Sequence, residues 1–183
     1  MKRFVRGLVL TNTYARSSRW ESDKYPADNV YAVAILRPLA PMQFATSLKL
    51  ASSDPASMPA DVKKLEEVID ALEKSASGLA SLFAQPTDNF QIGVAEAMLF
   101  ANNDALQKSL LDGAGTLVER MKQEPDLGKR ADLAIRTVLN RVPRPDELQT
   151  IVGYMQRRNE RPAEASQQVV WALLTSAEFR FNH

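Results

Sequence analysis

The densest group of chemically capable side chains lies between Tyr14 and Trp20, where Tyr14, Arg16, Ser17, Ser18, Arg19 and Trp20 fall close together. Aromatic rings beside guanidinium and hydroxyl groups can stack on and hydrogen-bond a sugar or another protein surface. The same residue types also serve architecture, with Tyr14 and Trp20 anchoring a connector to helices while the serines cap or turn the chain. Both readings stand on these residues alone. A second candidate group is Arg141, Glu147 and Glu178. Arginine's planar fork suits bidentate carboxylate pairing, so the three predict a buried polar link between the loop before one helix and the end of another. Substrate binding is the alternative role, because charged clusters occur at functional sites as well as in structural networks.

The remaining candidates lead away from catalysis. His183 is the single histidine and the last residue, so it cannot make a histidine-rich metal site, and chain ends are poor places to hold a catalytic group. Asn102-Asn103-Asp104 offers oxygen ligands at a spacing too short for a calcium loop, without a distal glutamate in register, and reads as a helix-capping turn. Asp54, Asp61, Glu66, Glu67 and Asp70 include carboxylate pairs, but an exposed helical face lacks the burial that would separate acid from base roles. The chain contains no cysteine, which removes disulfides, zinc-thiolate and iron–sulfur sites, covalent haem attachment and thiol catalysis. A glycine-rich phosphate loop and a Gly-x-Ser-x-Gly elbow are also missing from the sequence. No catalytic residue, metal or cofactor is expected.

The elements that would position these residues are helical. Residues 2 to 10 suggest a first helix, and residues 21 to 40, with Pro26 and Pro38, read as an extended connector because proline disfavours helix in the residue before it. Residues 30 to 36 alternate only weakly as a strand would. Pro41 opens a helix carrying Phe44, Leu48 and Ala51 on one face. The next begins near Pro59 and repeats Val62, Leu65, Val68, Ile69, Leu72, Ala76, Leu79, Leu82 and Phe83 at amphipathic spacing, with Lys63, Lys64, Glu66, Glu67 and Lys74 on a solvated face. Gln85 to Asn89 breaks the pattern and marks a subdomain boundary near 85–93.

Beyond that boundary a short helix through Met98 and Phe100 precedes a longer one using Leu106, Leu110, Leu111, Leu117, Val118 and Met121, weakened in its middle by Gly113 and Gly115. Asp126 to Asn140, the stretch opened by Pro145, and the stretch opened by Arg161-Pro162 supply three more. In the last of these, Val169, Val170, Leu173, Leu174 and Ala177 form an apolar stripe. Trp171 beside it is expected to be buried against the helices starting near Asp126 and Pro145, with its indole N–H bonded.

Composition sets the outer limits. At 183 residues the chain can bury about 70% of its unfolded surface and is expected to fold as one helical domain, 1–183. Lys and Arg number 23 against 22 acidic residues, so no global field attracts nucleic acid or an anionic membrane. The first ten residues do not read as a signal peptide. No stretch approaches the ~20 apolar residues needed to span a bilayer, and no membrane insertion is expected.

Four stretches quoted in order resemble the C-terminal part of a domain of unknown function found in large exported proteins of planctomycetes and related bacteria, many of which carry a cytochrome-c-like module. Thr13-Tyr14-Ala15-Arg16-Ser17-Ser18 resembles the family's Thr-Tyr-x-x-Ser-Ser element, and Arg37-Pro38-Leu39 its Arg-x-Leu lead into a helix. Glu96 to Asn102 resembles a Gln-Ala-Leu-x-x-x-Asn element, with Glu96 where glutamine is usual. Arg141 to Glu147 and Trp171 to Phe179 match together, with Thr175 where asparagine is usual. The resemblance implies an extracytoplasmic, multi-domain parent and supplies no activity. The expectation is an all-α multi-helix bundle of about seven helices with one extended connector segment. Its expected role is that of a non-catalytic interaction or scaffold module. Its partners would be other modules of the parent or a co-encoded protein, and a glycan is a further candidate. The alternative is an accessory part of an extracytoplasmic polysaccharide-acting or cytochrome-linked redox enzyme.

Overall fold

The computed structural model describes residues 2–15, 20, 22–27, 30, 32–33, 36–86 and 94–182. It is all-α: ten helices lie among these residues, eight of them of seven residues or more, with essentially no sheet. The chain divides into two units, one holding residues 1–38 and 181–183, the other Leu39–Arg180. The division therefore falls at Pro38/Leu39 and Arg180/Phe181. Of the expected boundary near 85–93, residues 87–93 lie outside the described residues.

The first unit contains α1 (Lys2–Val9) and two short strands, β1 (Arg37–Pro38) and β2 (Phe181–Asn182), paired antiparallel with Arg37 opposite Asn182 and Pro38 opposite Phe181. Among the described residues between α1 and β1 there is no α-helix.

The second unit holds the core. It runs through α2 (Pro41–Ser52), a 3-10 turn at Pro55–Ser57, α3 (Val62–Ala80), α4 (Val94–Asn102), α5 (Asp104–Leu111), α6 (Leu117–Lys122), α7 (Leu127–Leu139), α8 (Pro145–Arg157), α9 (Pro162–Leu174) and α10 (Ala177–Arg180). Starts are fixed by side chains that satisfy otherwise orphaned backbone N–H groups, each contributing about 1 kcal/mol. Asp61 accepts from the N–H of Lys64, Asn103 from Leu106, Thr116 from Glu119 and Asp126 from Lys129. Pro41, Pro145 and Pro162 occupy first-turn positions, where their missing N–H costs nothing.

The expected single helix from Leu106 to Met121 is two. Gly113 and Gly115 have φ of 102° and 79°, a region closed to most side chains, so they turn the chain rather than bend a helix. The backbone there is tied to the end of α2 by the Asp54 N–H donating to the Gly115 carbonyl at 2.8 Å. Asn140, left-handed at φ 51°, ends α7.

α2 packs along α3, while α9 lies against α5, α6, α7 and α8. Leu48, Leu117, Met121, Ile135, Val170 and Leu174 are among the fully buried side chains. Removing any one to alanine is worth about 2–5 kcal/mol.

Candidate functional site

Two arginines organise the end of the second unit. Arg141, in the loop between α7 and α8, faces two carboxylates. Its Nη1 and Nη2 donate to Glu147 at 2.8 and 2.7 Å, and its Nε and Nη2 donate to Glu178, the latter at 2.8 Å. The second Nη1 proton goes to the Val142 carbonyl at 3.3 Å. A guanidinium has five N–H donors, and all five are engaged within the protein. Glu147 also accepts from the backbone N–H of Arg144 at 2.8 Å, closing the first turn of α8. Bonding by Arg141, joined by the Arg144 N–H and opposed by partial burial, pulls the Glu147 carboxyl down to about 2. The two carboxylates push Arg141 further up from its already high value. The structure thus brings Arg141, Glu147 and Glu178 together, joining α7, α8 and α10. A saturated fork has no donor left for a substrate, which favours the architectural role.

Sequence reasoning missed Arg180. It is 3% exposed and pairs with Glu96, 8% exposed, at 3.1 Å. Its guanidinium carbon lies 3.9 Å over the Phe44 ring and 5.6 Å from Phe83. Around it, Phe44 and Phe83 meet edge to face at 4.9 Å, Phe83 stacks on Phe100 at 5.7 Å, and Phe179 closes on Phe44 at 6.0 Å. Ring faces carry negative quadrupole density, so they replace part of the hydration that the cation loses. Burial still pushes Arg180 down, with Glu96 opposing. The available signals were a lone arginine between Phe179 and Phe181 and a lone glutamate in the apolar stretch Val94–Asn102.

The Tyr14–Trp20 group is only partly visible. Arg16, Ser17, Ser18 and Arg19 lie outside the described residues, as does His183. Tyr14 is 67% exposed, in a turn whose Tyr14 N–H donates to the Thr11 hydroxyl. The Trp20 indole N–H donates to the Lys24 carbonyl at 2.9 Å, an anchoring contact within its own loop. Asn103 caps α5, Asp54 and Asp61 cap the elements after them, and Glu66, Glu67 and Asp70 are exposed on α3.

Trp171 departs from expectation. It is half-buried, and its ring meets Phe100 of α4 at 5.7 Å. On α9 Ala165, Ser166, Val170 and Leu174 are fully buried, so Trp171, one residue past Val170, is rotated to the edge of the stripe.

The second exposed feature belongs to the first unit. No residue of α1 is buried, and Phe4 is 70% exposed, with Val5, Leu8 and Val9 also open. These four share one side of the helix, with Lys2, Arg3 and Arg6 around the other. Among the described residues no group of three or more His, Cys, Asp or Glu side chains is placed to hold a metal, and no helix is long and apolar enough to cross a membrane. The chain matches no family model, no curated protein and no solved structure.

Proposed function

We propose that this chain is a non-catalytic helical interaction module of an exported multi-domain protein, docking another module of that protein through the apolar face of α1. The observation that supports this reading is the uncovered stripe of Phe4, Val5, Leu8 and Val9. An eight-residue helix is marginal in water by itself, and contiguous exposed apolar side chains mark interaction surfaces. The clearest charged cluster, around Arg141, is engaged internally, which weighs against a catalytic role. The test is binding of the chain to the parent's other modules by light scattering and titration, with Phe4→Asp and Leu8→Asp as probes. Loss of at least tenfold in affinity is expected. Indifference of the wild-type chain to every module, or tight binding by both variants, overturns the reading. Glycan contact at Tyr14 is the second reading, favoured by its exposed phenol; Tyr14→Ala abolishing glycan-array binding would support it.

A further inference from the structure

A cleft of about 420 Å³ opens where α5, α9 and the end of α8 converge, lined by Gln107, Arg158, Arg161, Gln167, Gln168 and Trp171 among others. Its construction is unusual in one respect: each of its three carboxamides is fixed at one end by the protein. Gln107 donates its Nε2 to the Phe100 carbonyl at 3.3 Å, and Gln167 donates its Nε2 to Asp112. Gln168 accepts through its Oε1 from the Tyr154 hydroxyl. A carboxamide has both an acceptor oxygen and a donor NH2. Gln107 and Gln167 therefore keep a carbonyl oxygen for a ligand, and Gln168 keeps its amide N–H groups. Gln167, Gln168 and Trp171 recur at three- and four-residue spacing and so share one side of α9.

The rest of the lining defines the ligand. Trp171 is half-buried and braced against Phe100, so it offers a rigid aromatic surface at little entropic cost. Arg158, held over the Tyr154 ring at 5.7 Å, and Arg161, 3.5 Å from Glu164, are both exposed. Arg161 is paired with Glu164 and Asp112 stands against Gln167, which leaves Arg158 as the guanidinium with no carboxylate partner among the described residues, and guanidinium favours planar, bidentate acceptors. We infer that this cleft binds an acidic sugar, a pyranose carrying a carboxylate. The indole would pack on the C–H face of the ring, the three anchored carboxamides would pair with hydroxyls as two acceptors and one donor, and an arginine would take the carboxylate. A neutral sugar offers Arg158 no carboxylate, and a bare anion makes no use of the indole or carboxamides. The volume suits one or two sugar units. This site lies in the second unit and does not depend on docking through α1.

Isothermal titration of the full chain with D-glucuronate and a short oligogalacturonate, against D-glucose and acetate, tests the inference. The oligogalacturonate is expected to bind at least tenfold more tightly than either control. Arg158→Ala with Arg161→Ala, both at exposed positions, should reduce that binding tenfold or more without moving the unfolding midpoint. Trp171→Ala should abolish it, and Gln107→Ala, a milder change, keeps the test valid where Trp171→Ala fails to fold. No binding of either acidic sugar, equal binding of glucose or acetate, or full binding by the double arginine variant each overturns it.

Discussion

Arg141 and Arg180 hold the same short segment, one through Glu178 of α10 and the other as the last residue of that helix, yet their charges are stabilised in opposite ways. Arg141 stays partly in water and fills every donor with a carboxylate or carbonyl oxygen. Arg180 is withdrawn from water and rests on aromatic faces with one carboxylate beside it. A partly exposed ion pair loses less on losing a partner, because water fills part of the gap. A buried one leaves a charge stranded, so partner removal costs more. Two arginines in one motif therefore make unequal contributions to stability.

The largest effect is expected at the buried site. Arg180→Ala should destabilise by about 3–5 kcal/mol, since it strands Glu96 and leaves a void against Phe44. Replacing Arg180 and Glu96 together by methionine should recover most of that loss in chemical denaturation; a double variant as unstable as the single would break the contrast. Arg141→Ala comes next, at about 2–3 kcal/mol, because it leaves Glu147 and Glu178 as neighbouring carboxylates without their shared cation.

Acidification probes the Glu147 pair without mutation. Glu147 sits at about 2 in the folded chain against an ordinary 4.5. A carboxylate depressed by folding contributes its full stability above the unfolded value and loses it as pH falls. The wild type should therefore lose about 1–2 kcal/mol between pH 5 and pH 2 from this group, and Glu147→Gln should flatten that part of the profile. An unchanged slope in the variant would remove Glu147 as the cause. The smallest effect calibrates the rest. Asp132→Ala breaks the exposed Arg136 pair on α7 at 2.7 Å and should cost at most about 0.5 kcal/mol, falling toward zero in 1 M salt.

How much of this was readable in the chain follows from the range of the forces involved. Helices set by local spacing and local caps were legible: Pro41, Asp126 and Pro145 each stand where an element begins. The triad of Arg141, Glu147 and Glu178 was legible because arginine's fork has few ways to be satisfied. In the sequence Gly113 and Gly115 read as the weakened middle of one helix rather than a break, since φ is not written in residue type and glycine tolerates both outcomes. Arg180 went unseen because its partners, Phe44, Phe83 and Glu96, come from α2, from just beyond α3 and from α4. Such a cage exists only after tertiary packing. The position of Trp171 failed for a related reason: one step around a helix, about 100°, moves a ring from the stripe to its edge.

The second unit is also closed on itself. The Leu39 N–H donates to the Arg180 carbonyl at 3.0 Å, so the first and last residues of Leu39–Arg180 are hydrogen-bonded neighbours. A unit whose entry and exit coincide behaves topologically as a ring of chain with one clip. It can be carried as a cassette in the loop of a host protein, because a host loop need only widen by the separation of two paired strands. The same closure permits the old ends to be joined by a few glycines and new ones cut at an exposed turn such as that at Glu160. Insertion or removal of sequence on either side of the clip therefore leaves the core arrangement in place.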